Sequence, residues 1–439
     1  MKETATGGKS LGLAACTAVV VGNMVGTGFY LSPTAVAPYG ALAIIAWIVM
    51  GIGAGCLGLT FARLARIAPA TGGPYAYTHM AYGDFAGFLI AWGYWISIWA
   101  SLPAIAFGFA GAIMNLAPGL LFNKTMALTL TLGAIWFVVL INLRGVKTAG
   151  IFAEITTYTK LVPFAAVALV GLFYIRSDNL PALNPSGESL LTASAALAPL
   201  TMFGYLGLES ATVPAGDVKD ARRTIPRSTL LGISIAGLLY VLGTVVAFGV
   251  VPHEQLLTSV APFTDAARLM WGAWGAGAIA LAVIVSSIGA LNGWTLLMGQ
   301  VPMAAAQDRV FPPAFGRLSG RGVPALGIVI SAALATGMVA LQALGSPGVR
   351  TFYNLVVSLS TMAAVIPYAF CSLAVGLVTA RTTGKAPRLG PVEIIAFVFS
   401  VFTVYGCGAE AVLYGLVLLM LGIPVYVWQR HRVPAPAAH

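Results

Sequence analysis

The chain has 439 residues, of which 59% are hydrophobic and 8% charged, against about 25% charged in a soluble domain. So few charges cannot cover a water-facing surface, and the mean hydropathy of +0.91 argues against a soluble enzyme or binding module. The net charge of +10 could suggest a nucleic-acid partner, but the basic residues cluster between apolar segments, where they act as topogenic signals.

Apolar stretches of about 20 residues recur from Leu11 to Trp428, each long enough to cross ~30 Å of hydrocarbon as a helix. A transmembrane barrel would need alternating segments of about 10 residues, whereas these runs are continuous. The first run follows Lys2 and Lys9 and continues through Gly22, Gly28 and Pro33 without a convincing cleavage site, so it reads as a mature span and not a signal peptide. In chain order the spans fall near 11–37, 41–64, 85–117, 125–143, 148–175, 192–215, 227–251, 270–304, 324–344, 352–380, 392–407 and 410–429. The expected fold is therefore an all-α integral membrane protein of about twelve transmembrane helices, forming one domain over 1–439.

With the N-terminus inside, the outer segments hold only Lys124, Arg176, Arg268 and Arg350, while clusters such as Arg222, Arg223 and Arg227, or Arg309, Arg317 and Arg321, fall inside. This asymmetry predicts that both termini are cytoplasmic. It also removes the case for nucleic acid.

Two spans break the pattern of a continuous helix. The first carries Gly22-Asn23-Met24-Val25-Gly26-Thr27-Gly28, and the sixth Gly204-Tyr205-Leu206-Gly207-Leu208-Glu209-Ser210. One glycine cluster in a membrane helix is weak evidence of a break, since glycine also permits close helix packing. Two in corresponding positions point to inverted repeats of five helices, approximately 11–175 and 192–380, followed by helices 11 and 12 over approximately 392–429, with a substrate site at the two breaks. Freed amides near Thr27 and Gly28 can hold a carboxylate. Freed carbonyls from Phe203 to Leu206 can accept from an ammonium.

Between and beyond the breaks, the informative residues are polar groups in apolar spans. Lys160 lies mid-span in the fifth helix and must snorkel, pair, or meet carbonyls and hydroxyls. Glu209 either binds a cation, exchanges a proton during gating, or holds the unwound loop through backbone amides. Tyr94, Ser97, Ser360 and Tyr368 also suit ordinary helix packing, and Trp294 also suits a core or interface position. Cys16, Cys56, Cys371 and Cys407 lack metal spacing, and the four histidines form no metal constellation. No catalytic residue, metal or cofactor is expected.

Several strings resemble the amino acid, polyamine and organocation transporters, and within them the bacterial basic amino acid and polyamine antiporters. They are GNMVGTGFYLSP at Gly22 to Pro33, TGGPYAY at Thr71 to Tyr77, GYLGLESATVPAGDVKDARRTIP at Gly204 to Pro226, APFTDAARLM at Ala261 to Met270, NGWTLLMGQ at Asn292 to Gln300, and IPY at Ile366 to Tyr368. The match looks closest to the arginine/agmatine and putrescine/ornithine antiporters. It implies a LeuT-like fold with broken helices 1 and 6, and exchange by alternating access.

By position, the resemblance assigns Asn23, Gly26, Thr27 and Gly28 to the carboxylate break. It puts Phe203, Leu206 and Glu209 on the span-six break, Trp294 on the aromatic wall, Ser360 and Tyr368 on span ten, and Tyr94, Ser97, Ile98, Leu102 and Ile105 on span three. Some relatives use a lysine at the place of Lys160 as a substitute for sodium, touching the first and eighth helices, which makes Ser286 and Ser287 of span eight its candidate partners here. Phe203, Leu102 and Ile105 depart from the indole, asparagine and methionine of the arginine antiporter, which favours a smaller or more apolar side chain. The function expected is a sodium-independent exchanger of an amino acid or amine, with a proton-coupled symporter on the same fold as the alternative. The partners are that small molecule and the lipid bilayer, with pairing into a homodimer left open.

Overall fold

Backbone amides and carbonyls cannot go unpaired in hydrocarbon, and this chain satisfies them almost entirely within helices. The computed structural model describes residues 12–432 apart from 69, 71, 117, 118, 120–122, 213–217, 345–348 and 385–387. Sixteen α-helices follow one another among the described residues, with no β-strand element: α1 (Leu13–Met24), α2 (Thr27–Val36), α3 (Leu42–Ile67), α4 (Pro74–Tyr82), α5 (Asp84–Leu116), α6 (Lys124–Leu143), α7 (Val146–Val170), α8 (Leu190–Tyr205), α9 (Ala221–Val250), α10 (His253–Thr258), α11 (Pro262–Gln307), α12 (Ala325–Leu344), α13 (Val349–Thr383), α14 (Pro391–Gly406), α15 (Gly408–Met420) and α16 (Gly422–Arg432). Ten stretches are long and apolar enough to cross a membrane, and α1 and α14 are shorter apolar helices. The chain is thus a helical membrane protein.

Helix boundaries follow local chemistry. Gly72 (φ 112°) and Gly73 (φ 59°) turn the chain, Pro74 opens α4 at a position where its missing amide costs nothing, and Gly83 (φ 85°) closes it. Gly72 to Tyr77 of the TGGPYAY string are therefore a turn and a helix start, a short element that span counting passes over. Gly272 (φ 73°) divides α11, so Pro262 to Trp271 form a separate arm ahead of the expected span near 270–304.

Packing depends on small residues at crossings. α1 lies against α7 and α9, and α11 against α5 and α7. A Cβ built on Gly22 would stand 2.6 Å from Thr157 Oγ1, one on Gly289 2.4 Å from Thr156 Oγ1, and one on Gly232 2.4 Å from Val20. The first and third crossings hold α7 and α9 against α1, and the second holds α11 against α7.

At the far side, α14 is fixed by a charge pair. Arg63 of α3 bonds to Glu393, whose side chain is 1% exposed against 42% for Arg63. The same carboxylate accepts the Gly390 amide at 2.9 Å, capping α14. Removing Glu393 strips both the cap and the α3 contact, while Arg63 can return to water. Glu393→Ala should cost about 1–3 kcal/mol and lower the melting temperature of the detergent-purified protein by several degrees, whereas Ile394→Ala on the half-exposed face should leave it nearly unchanged. Equal melting temperatures for the two variants would remove the clamp.

Candidate functional site

The first break is two residues long. α1 ends because Val25 leaves the helical region (φ −79°, ψ 76°) and Gly26 is extended (φ −120°, ψ −165°). α2 restarts at Thr27 with glycine as its N-cap, so no side-chain cap covers the amides of its first turn from that position. The side chain of Thr27 lies outside the described residues.

Carbonyls at the end of α1 are met by Lys160. Its buried Nζ donates to Gly22 O at 2.6 Å and to Val25 O at 2.7 Å. Val25 O also accepts from Ser286 Oγ at 3.3 Å, and Tyr30 OH donates to Ser286 Oγ at 2.5 Å. Tyr30 stacks on Phe164 at 4.3 Å and meets Phe263 edge-on at 6.3 Å. Ser287, grouped with Ser286 in the sequence reading, instead donates to Val283 O of its own helix at 2.6 Å. Adjacent helical residues point about 100° apart, so only one of the two serines reaches the break.

The second break begins after Tyr205. Leu206 is extended (φ −61°, ψ 139°), Gly207 has φ 95°, and Ser210–Thr212 form a 3₁₀ turn. The carbonyls that the sequence suggested as free are largely engaged. Phe203 O accepts Leu206 N at 3.3 Å, Tyr205 O accepts Leu208 N at 3.3 Å, and Gly204 O accepts Tyr240 OH at 2.6 Å. Each keeps a second lone pair for a ligand.

Glu209 is fully buried and bonded at both oxygens, to Tyr94 and, at 2.5 Å, to Tyr368. Its carbonyl accepts from Thr212 Oγ1 at 2.6 Å. The two breaks are joined directly, because Asn23 Nδ2 donates to Ser210 Oγ at 2.8 Å. Space for Asn23 comes from two glycines: a Cβ on Gly293 would stand 2.3 Å from its Oδ1, and one on Gly207 3.1 Å from its Cβ.

Two helix faces line these breaks. On α11, Val283, Ser286, Ala290 and Gly293 recur at three and four residues, the spacing of one face. Ser286 meets Val25, Ala290 lies under Gly26, where an added Cβ would be 2.9 Å away, and Gly293 meets Asn23. Trp294 follows, buried. On α5, Tyr94 touches Glu209, and Gly108, about four turns further on, lines a cavity with Tyr30, Leu31, Phe263 and Thr264. That cavity has room for about one water molecule.

Ile98, Ser101 and Ile105 fall on the α5 face between those two points, with Leu102 at its side, and all four are buried. Ser97 Oγ and Ser101 Oγ turn to their own helix, bonding Tyr94 O at 2.7 Å and Ile98 O at 2.8 Å. Phe203, Leu206 and Ser360 are buried, and Ser360 Oγ has no hydrogen-bond partner among the described residues. No group of three or more His, Cys, Asp or Glu gathers among the described residues.

Sequence reasoning missed Tyr30, Ser210 and Tyr240. The first two stand inside the quoted strings, where hydroxyls beside a glycine cluster were a usable signal. Tyr240 reaches Gly204 from α9, and nothing local announces that.

The model of the family described as amino acid permease matches residues 11–424. The putrescine transporter PotE of Escherichia coli is 28% identical over 421 residues, covering 95% of each chain. The corresponding transporter of Haemophilus influenzae is 27% identical over 421 residues, covering 95% of this chain and 96% of its own. The cadaverine/lysine antiporter of Escherichia coli is 29% identical over 410 residues, covering 91% of this chain and 88% of its own.

The contact of Gly207 with Asn23 can be tested against a control. Gly187 also has positive φ (77°), but a Cβ there meets nothing within 4 Å. Both alanine variants pay about 1–2 kcal/mol for the backbone, and only Gly207→Ala also displaces the end of α1. At equal amounts of reconstituted protein, Gly207→Ala should slow transport at least fivefold more than Gly187→Ala; equal rates would mean that the junction tolerates movement.

Proposed function

This chain belongs to the amino acid permease family, and on that premise we propose that it is a sodium-independent exchanger of amino acids or amines working by alternating access. The antiport activity named for the cadaverine/lysine relative supports exchange, and the two helix breaks joined through Asn23 and Ser210 support a site at their junction. In this reading α1 and α2 together make the first of twelve spans and α8 with its 3₁₀ turn the sixth, the cores of two five-helix inverted repeats. The basic residues of the inner loops keep both termini in the cytoplasm of a bacterial cell.

One observation carries the sodium independence. The Lys160 ammonium already donates to the Gly22 and Val25 carbonyls, where a sodium ion would otherwise supply the positive charge. Asn23, Gly26, Thr27 and Gly28 then present the carboxylate end of the site. Phe203 and Leu206 present the ammonium end, and Ser97, Ile98, Ile105, Trp294 and Ser360 line the remainder. Tyr94, Glu209 and Tyr368 form a three-residue latch that closes over the junction, while Lys160 and Ser286 couple the first break to α7 and α11; Ser287 serves by packing.

A second reading, proton-coupled symport, is favoured by the same two buried ionisable groups, Lys160 and Glu209. The two separate in proteoliposomes. Exchange requires uptake stimulated by internal substrate, unchanged when sodium is replaced by choline. Accumulation in empty vesicles under a pH gradient would instead establish symport. Lys160→Ala, which leaves Gly22 O without its side-chain donor and Val25 O with Ser286 alone, should reduce exchange at least tenfold beyond any loss of folded protein; a matching loss of both would make the lysine purely structural.

A further inference from the structure

Three charged side chains are buried among the described residues: Lys160, Glu209 and Glu393. Glu393 is paired with Arg63 and caps α14, away from the breaks. Among the described residues the junction therefore holds one buried base, Lys160, and one buried acid, Glu209. The acid has both oxygens occupied, one by Tyr94 and the other by Tyr368. Each oxygen keeps a second lone pair, so one substrate ammonium can share the carboxylate with the tyrosines, and a second finds no further buried acid there among the described residues.

From this inventory of charge we infer that the site takes neutral α-amino acids, with apolar or short side chains, and discriminates against diamines and basic amino acids; the inference rests on the exchanger reading above. A zwitterion adds no net charge. Its carboxylate suits the uncapped amides opening α2, with Lys160 gripping the neighbouring carbonyls, and its ammonium suits the carbonyl lone pairs of the α8 break. The remaining side chain meets the α5 face of Ile98 and Ile105, together with Phe203 and Trp294. Ser101, on the same face, has turned its hydroxyl to Ile98 O, so it offers little to a distal charge.

A diamine lacks the carboxylate for the α2 amides and brings a second ammonium. Among the described residues no acid is left for that ammonium, and it would share a buried region with the ammonium of Lys160. Burying an unpaired charge is strongly unfavourable, so the penalty falls on these compounds alone. The named substrates of the relatives, putrescine, cadaverine and lysine, therefore do not transfer to this chain with the fold.

The full-length protein in proteoliposomes decides this by counterflow. Vesicles are loaded separately with alanine, serine, leucine, methionine, lysine, ornithine, putrescine or cadaverine, and uptake of the same labelled compound is followed. At least one neutral amino acid should be taken up ten or more times faster than any diamine or basic amino acid. Equal or faster exchange of putrescine, cadaverine, lysine or ornithine would overturn the inference and leave the exchanger reading standing. No stimulated uptake of any compound, by protein that elutes as a single folded species, would overturn both.

As an independent arm, Ile105→Asp adds an acid to the apolar face. Folded variant should shift its preference towards ornithine over leucine by at least tenfold relative to wild type. An unchanged preference would place the side-chain end elsewhere and overturn the inference.

Discussion

A helix interrupted inside an apolar bundle must find partners for each backbone group that it frees, and at the first break that partner is one lysine. An unpaired buried carbonyl costs about 1–3 kcal/mol, and a buried ammonium without partners costs more. Lys160 and the carbonyls of Gly22 and Val25 cancel both penalties at once. The two features depend on each other: a continuous α1 would leave the ammonium without these carbonyls, and an apolar residue at 160 would strip Gly22 O of its side-chain donor and leave Val25 O with Ser286 alone. Gly22 adds the geometric condition, because any larger residue would strike Thr157 and push α7, which carries the lysine, away from α1.

The second break is solved with aromatic hydroxyls. Tyr240 takes the Gly204 carbonyl, and Tyr94 and Tyr368 take the carboxylate of Glu209. These hydroxyls come from α9, the next α-helix along the chain, and from α5 and α13, both more than a hundred residues away. The Asn23–Ser210 bond then makes the two breaks one unit, backed by the small-residue face of α11. Any rigid-body shift of one of these helices therefore acts on the junction through short polar contacts.

Much of this was legible in the sequence because hydrocarbon simplifies the code. The apolar runs predicted nearly every long helix to within a few residues, and the glycine clusters marked both breaks, since backbone that departs from a helix there must be buried or line a cavity. Glu209 and Lys160 stood out because a charge in an apolar span demands an explanation. What the sequence left hidden depends on distance in the chain. The partners of Lys160 lie more than a hundred residues away, α4 is too short for hydropathy to register, and the separate roles of Ser286 and Ser287 follow from helix rotation and not from residue type. The engaged carbonyls of Phe203 to Tyr205 were likewise beyond a local reading, because Tyr240 arrives from another helix.

The central claim is that the two breaks act as one ligand-responsive unit. Amide hydrogen exchange of the protein in lipid nanodiscs, followed over 24–29 and 206–210 with and without the amino acid that it exchanges, tests this most directly. Both segments should exchange faster than the flanking helical turns of α1 and α8, and both should slow together when the amino acid is added. Protection equal to the flanks without ligand, or slowing of one segment alone, would contradict the account.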